Sequence, residues 1–419
     1  MQINVDEKNN IDIVNQELSL LPKLKEKLEK KFIPHWNNQW GGKCILHGQT
    51  AGPNAIRLDG NDYLNISNHP HITAAQIAQL RENTQAILQS GAFILEDHPA
   101  RKLEANIANW IGKEDGFICQ SGYAANTGLI QAIADEETPV YVDSLAHMSL
   151  WEGVRAAGAP GYAFRHNDPS HLARMIERNG AGLVVVDSVY STTGALCKLA
   201  EIVDVVETNK CNILVDESHS LGTHGPQGAG LCAELGLVDR VHFITSSLAK
   251  SFAGRAGFFT IPKALRYYVL HHSFPNIFSS ALLPHEIAGL SATLEIIRKS
   301  TTARQRLQDN TRRIRGSLSE MGYPIHQGSE QIIALEAGTE PATIALRDLM
   351  ESNEIFGAIF CAPATSRNRA MVRLTLNAGL TDCELEKIEM SAKKIASIVQ
   401  PWNWPIAKRK TRFNQELAY

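Results

Sequence analysis

Residues 212–219 read NILVDESH. Three strand-forming apolar residues, Ile213, Leu214 and Val215, run into an acid, Asp216, and a histidine, His219, stands just beyond. Units of the same kind flank this one. Helix ARKLEANIANWIG, strand FICQ, helix GYAANTGLIQAIA and strand VYVD come first, then helix HLARMIERN, strand GLVVVD and helix AEIVDVVETN, and strand VHFITS follows. Short apolar strands alternating with helices of roughly ten residues or more need crossover connections, and strands apolar at successive positions need cover on both faces. The pattern predicts an α/β fold with a mostly parallel central sheet.

At 419 residues and 44% hydrophobic content the chain has material for a large domain and a smaller one. The expected division is an N-terminal helical arm over 1–60, a large domain over 61–294 and a smaller α+β domain over 295–419. The arm is read from residues 13–31, IVNQELSLLPKLKEKLEKK, where apolar residues recur at helical spacing among lysines. After Pro284 a long helical pattern, HEIAGLSATLEIIRKSTTARQRLQDNTRRIRGSLSEMG, leads to strand candidates QIIALEA and MVRLTLN. A net charge of −3 with no basic patch interleaved with aromatics argues against a nucleic-acid partner. The seven cysteines are scattered without a C-x-x-C pair, which fits reduced thiols and offers no zinc site or other metal site. The polar start MQINVDEKNN is no secretory signal, and no apolar run reaches the ~18 residues that span a bilayer. A cytoplasmic protein is expected.

In open parallel sheets ligands bind beyond the carboxyl ends of the strands. The residues placed there are Ser121 and Gly122, Asp143 and His147, Asp187 and Ser191, Asp216 and His219, then Ser246, Ser247 and Lys250. Singly, each has an ordinary explanation, since an acid or serine at a strand end most often caps the next helix. Lys250 stands out because its surroundings, LAKSFAGRAG, leave an ammonium few partners. Such a lysine has a lowered pKa and forms a Schiff base with an aldehyde. Asp216 suits a pyridine ring nitrogen that must stay protonated to act as an electron sink. His219 is placed for a ring hydroxyl and His147 for the ring face. Backbone amides of Gly122 and Tyr123 at a helix start, with the hydroxyls of Ser247 and Ser191, suit a phosphate.

From NDYL at 61 to RLTLNA at 373 the chain resembles the α-oxoamine synthases, fold-type I pyridoxal-phosphate enzymes. The resemblance is carried by SGYAAN (121–126), DSLAHMS (143–149), DESHSLGTHGPQGAG (216–230), SLAK (247–250) and FSSALLP (278–284), all in order. It implies that Lys250 is the Schiff-base lysine, Asp216 the ring-nitrogen partner, His219 the ring-hydroxyl contact and His147 the stacked ring. Ser191 and Ser247 match hydroxyls that contact the cofactor. Ser280 matches a phosphate contact given by the other subunit of a homodimer, Arg373 the substrate carboxylate clamp, and Asn61 a position near the reacting groups. Segments AHMSLWEG, SHSLGTHGP and CAPATSRN are similar to the acyl-CoA-dependent autoinducer synthases, which make α-aminoketone precursors of hydroxyketone quorum signals.

The resemblance therefore implies an acyltransferase that joins a medium-chain acyl-CoA to a small amino acid, 2-aminobutyrate-like or S-adenosylmethionine, with decarboxylation. Another α-oxoamine synthase activity, other pyridoxal-phosphate chemistry such as transamination or elimination, and a catalytically silent partner subunit stay open as alternatives. Three positions depart from the wider family. The usual Gly-Ser-Arg segment reads SGAFILEDHP, with Phe93 and Ile94 as a candidate apolar wall for the acyl chain; the usual histidine after the arginine clamp is Leu380; the usual threonine before the lysine is Ser247.

Overall fold

The structure, a computed structural model, describes residues 21–82 and 88–407. Eleven strands are present among the described residues: β1 Ile56–Leu58, β2 Asp115–Cys119, β3 Val140–Asp143, β4 Gly161–Phe164, β5 Leu183–Asp187, β6 Asn212–Asp216, β7 Phe243–Ser247, β8 Gly257–Ile261, β9 Ile332–Gly338, β10 Ile355–Phe360 and β11 Ala370–Thr375. Seven of them form one sheet in the order β2-β8-β7-β6-β5-β3-β4. All neighbours pair in parallel except at β8, which runs antiparallel to both β2 and β7. The expected α/β class and mostly parallel sheet are observed.

Alternation along the strands shows why they are apolar throughout. Val184, Val186, Ile213 and Val215 enter the core on one face, whereas Leu183, Val185 and Leu214 enter the core on the other. Helices cover both sides, so polar groups reach solvent only at the strand ends.

Three elements of the large sheet lie outside the periodicity reading. Helix Met148–Ala156 carries its own glycine, Gly153, and β4 is an edge strand with a partly exposed face, so neither shows a long apolar signature. The third is β8. It follows β7 after a tight reversal in which Leu248 N donates to Ala256 O (2.9 Å) and Gly254 N donates to Leu248 O (3.1 Å). Lys250 sits inside that reversal.

A second sheet, ordered β1-β10-β11-β9, packs on its own core of Ile333, Leu335, Val372 and Leu374 with helix residues Ile314, Leu346 and Ile388. Two boundaries differ from expectation. The segment ending at residue 60 is not a helical arm alone, because β1 pairs in parallel with β10 (Ile56 with Ile355) and so extends the small sheet. The long pattern after Pro284 is two helices, Pro284–Lys299 and Thr301–Glu320, broken at Ser300. The first buries Ile287, Leu290, Leu294 and Ile297 on the large sheet and the second sends Ile314 and Leu318 to the small one. A boundary at 294/295 therefore falls within a helix, and the change of packing partner comes at Ser300.

The part of the amphipathic stretch up to residue 20 lies outside the described residues. From Pro22 to Gln39 the chain is helical and largely exposed. It docks through His35 Nε2 and Trp40 Nε1, both 2.7 Å from Glu340 Oε2. No helix among the described residues is long and apolar enough to cross a membrane.

An ion pair joins the two sheets' surroundings: His224, beyond β6, meets Glu330, just before β9, at 3.0 Å. Burial works against the charge on His224, but the Glu330 hydrogen bond and charge outweigh it and raise the histidine pKa. Burial likewise works against Glu330, which His224 holds below its ordinary value. A histidine with a raised folded pKa contributes stability fully below about pH 6.5 and loses it as pH rises through the raised value. The protein should accordingly lose more urea resistance between about pH 6 and about pH 8.5 than a Glu330→Gln variant does. Parallel losses in the two proteins would show that the pair contributes nothing.

Candidate functional site

Strands β3, β5 and β6 each end on an aspartate, and the three have different fates. Asp143 is consumed by the local turn, accepting from Leu145 N (2.8 Å), Asn167 N (3.0 Å) and His166 Nδ1 (3.0 Å). Asp187 accepts from His147 N (3.2 Å), and burial followed by the nearby Asp216 charge pushes its carboxyl well above the usual range. Asp216, 5% exposed, accepts from Asn126 Nδ2 (2.7 Å) and Ser218 N (2.9 Å). Neutral donors hold it, and no cation in the described residues pairs with it.

The helix Gly122–Ile133 begins against the end of β7. A Cβ on Gly122 would lie 2.5 Å from Ser247 Cβ and 2.8 Å from its Cα, so only glycine lets the helix start this close to the strand. Ser121 Oγ caps the helix through Ala124 N (3.1 Å), and the first amides, those of Gly122 and Tyr123, face outward at the positive end of the helix dipole. Ser247 N donates to Ser218 Oγ (2.7 Å), which ties β7 to the turn after Asp216.

Lys250 is partly buried, and its ammonium makes no hydrogen bond or ion pair among the described residues. Burial lowers its pKa, the Arg373 charge lowers it further, and Asp216 opposes both. His147 caps helix Met148–Ala156, with Nδ1 2.7 Å from Ser149 Oγ, and its ring is accessible at the cleft mouth. Desolvation lowers its pKa, Asp216 offsets part of this, and Lys250 adds to the lowering. His219, 6% exposed, bonds through Nδ1 to the Tyr63 hydroxyl. Burial, then Lys250, Arg373 and His147, push its pKa well below the ordinary value, so the ring is neutral.

Arg373 on β11 brings the small sheet to the same place. It is 5% exposed, donates to Ser191 O (3.0 Å) and Asn61 Oδ1 (3.1 Å), and lies 4.6 Å from the centre of the Phe360 ring. Its Nε has no partner and no acid pairs with it among the described residues. Such a cation is set to receive a carboxylate. His147 and Ser191 share a cleft of about 330 Å³ with Met148, Trp151, Phe360 and Met371.

Ser280, expected to serve the other subunit's cofactor, and the Phe93–Ile94 pair lie outside the cleft with His147. Ser280 is exposed; its carbonyl accepts from Gln120 Nε2 (2.5 Å), one residue before Ser121, and it forms an antiparallel bridge with Ser90. Phe93 is 69% exposed beside that segment, and Ile94 lines a separate cavity with Leu95, Phe117 and Arg266, so the two form no wall in the cleft with His147. Leu380 is core. Sequence reasoning missed Asn126, Tyr63 and Gln331. Asn126 had a signal, standing one helical turn after Gly122 within SGYAAN. Tyr63 lay in the quoted NDYL without a role, and Gln331, which donates to His219 O (2.9 Å), had no local signal.

The class I and II aminotransferase family matches residues 53–389. The chain is 42% identical over 346 residues to the CAI-1 autoinducer synthase of Vibrio campbellii, covering 83% of this chain and 88% of that one. It is 28% identical over 333 residues to a putative 8-amino-7-oxononanoate synthase of Halalkalibacterium halodurans, covering 77% of this chain and 84% of that one. Its fold is that of a serine palmitoyltransferase from S. paucimobilis, with a TM-score of 0.83 at 22% identity over 90% of this chain and 99% of that one. The strand-end acids, the lysine in the β7–β8 reversal and these likenesses agree: the chain belongs to the class I and II aminotransferase family, within the α-oxoamine synthases of the fold-type I pyridoxal-phosphate enzymes.

Proposed function

We propose that the protein condenses a medium-chain acyl-CoA with a small amino acid and releases CO₂, giving an α-aminoketone precursor of a quorum-sensing signal. The observation that carries the reading is that three groups lie close enough for their charges to act on one another: an unpaired Lys250 amine, a buried Asp216 held by neutral donors, and a buried Arg373 cation without an acid partner. Support for the signal class comes from the 42% identity to a relative named CAI-1 autoinducer synthase.

The residues fit pyridoxal phosphate. Lys250 is available to the aldehyde, Asp216 to the ring nitrogen, His219 to the ring hydroxyl and His147 to the ring face. The amides of Gly122 and Tyr123, with the hydroxyls of Ser247 and Ser191, suit its phosphate end. Bound there, the cofactor supplies an aldehyde that takes up the amino substrate and a ring that accepts the electrons of a broken bond.

The remaining work is done by side chains of this chain. Arg373, aided by Asn61, holds the substrate carboxylate in a charge-assisted pair. Lys250 Nζ, its pKa lowered by burial and by Arg373, takes the Cα proton. The carbon so exposed bonds to the thioester carbonyl, the C–S bond breaks and CoA leaves as the thiol. The bond from Cα to the carboxylate held by Arg373 then breaks, CO₂ leaves, and the Lys250 ammonium returns its proton to Cα, while solvent supplies the proton that the departing CoA thiolate takes. Trp151, Phe360 and Met371 offer an apolar lining for the acyl tail beside His147.

A homodimer belongs to the proposal. Leu88, Phe93, Leu95, Phe274 and Phe278 are 52–78% exposed on segments joined by the Ser90–Ser280 bridge. A second copy covering them would carry Ser280 toward the neighbouring cofactor phosphate.

Lys250→Ala should lose the borohydride-reducible cofactor band and at least ~10²-fold in turnover. A retained reducible adduct would remove Lys250 from this role. Gly122→Ala should weaken cofactor retention about tenfold or more, read by dialysis against inorganic phosphate, because the added methyl meets Ser247; unchanged retention would detach the phosphate from this helix start. Mass spectrometry of products from a panel of acyl-CoAs and amino acids tests the reaction itself. Each buried methylene contributes about 0.8 kcal/mol, so donors of roughly eight to twelve carbons should outcompete acetyl-CoA by several orders of magnitude in kcat/KM. Products without thiol release would point to transamination or elimination, and a preference for acetyl- or succinyl-CoA would exclude the signal-synthase reading.

A further inference from the structure

Segment 61–63 touches both halves of the proposed site. Asn61 Oδ1 takes an Arg373 proton at 3.1 Å, and the Tyr63 hydroxyl meets His219 Nδ1. The Tyr63 ring is fully buried against Leu307, Ile332 and Ala378, with its carbonyl accepting from Ala378 N at 2.9 Å, so the hydroxyl has a fixed aim.

The phenol oxygen also meets the Gln331 side chain, whose hydrogen bond lowers the phenol pKa as a donor does, so the phenol's one proton is left with two acceptors within reach. Asn61 Oδ1 is 3.5 Å away and already receives Arg373, whereas His219 Nδ1 is much nearer. Burial pushes the phenol pKa up, with Arg373 opposing, so the hydroxyl keeps its proton. The imidazole is held neutral by burial and by the Lys250, Arg373 and His147 charges around it. A neutral imidazole carries one N–H, and a nitrogen that accepts cannot carry it. If Nδ1 were the donor instead, the Tyr63 proton would be left with the distant, occupied Asn61 oxygen.

We propose that Tyr63 is a positioning residue that fixes the tautomer of His219, placing its only N–H on Nε2 and aiming it at the hydroxyl oxygen of the cofactor ring. The proposal rests on the cofactor reading given above and adds to it a residue that acts through His219. Tyr63 thereby links the ring oxygen to the segment that braces Arg373, so the two halves of the site are set by one short stretch of backbone.

The test is nitrogen NMR of histidine-labelled holoenzyme together with a pH titration of its visible cofactor band, for the unmodified protein and Tyr63→Phe. The His219 signal, assigned by its loss in His219→Asn, should show the proton on Nε2. Tyr63→Phe keeps the buried ring and should redistribute that proton between the nitrogens, move the band's titration midpoint by at least about 0.5 pH, and lower kcat about tenfold with KM for the amino acid within about threefold. A proton on Nδ1 in the unmodified protein overturns the proposal without recourse to any variant. A Tyr63→Phe titration that superimposes on that of the unmodified protein overturns it as well. Absence of a borohydride-reducible band in the unmodified protein would instead sink the cofactor reading, and the proposal with it.

Discussion

A parallel sheet covered on both faces can show polar side chains only where its strands stop. In this protein that constraint gathers Asp187, Asp216 and Ser247 along one rim, because β5, β6 and β7 are adjacent and run the same way. Asp187 and Asp216 are register partners, so two carboxyls share a buried edge. Burial and then the Asp216 charge push the Asp187 carboxyl well above its ordinary value. Asp216 is left to receive neutral donors, Asn126 and the Ser218 amide.

The reversal after β7 adds the opposite charge. Had the chain made another helical crossover there, Lys250 would have entered a helix; the antiparallel β8 leaves it in a tight loop at the sheet edge. Arg373 arrives from the small sheet and bears on the same space, lowering the pKa of both Lys250 and His219. A cation that discourages neighbouring protonation and also awaits an anion does two tasks at once. It keeps the lysine closer to a free amine, and in the proposed reaction it would seat the substrate carboxylate. In the proposed reaction, a carboxylate that neutralised Arg373 would relieve the restraint on Lys250 at the moment a base is required.

The small sheet is therefore part of the site. β1, paired with β10, leads straight into Asn61 and Tyr63, and β11 carries Arg373. The His224–Glu330 pair and the Gln331 bond to the His219 carbonyl fasten the same junction from the other side.

Much of this was legible in the sequence. Helical and strand periods are local, so the α/β class, the strand-end acids and the isolation of Lys250 among small residues could all be read from neighbours in the chain. Asn126 could have been found by helical spacing from Gly122. What stayed hidden depends on pairs far apart in sequence. Nothing near Tyr63 indicates that its hydroxyl meets a histidine 156 positions later, or that β1 pairs with β10 some 300 positions on. The short FFTI run of β8 does not announce its direction, since strand direction is set by the turn and the partner. Phe93 and Ile94 were apolar enough for a wall, but composition carries no information on which surface a loop lies. By itself the sequence determined which segments form strands and which chemistry waits at their ends, because both follow from local pattern. Only the tertiary structure decided that Asn61, Tyr63 and Arg373 meet beside His219, because their meeting is fixed by sheet pairing and by burial between two cores.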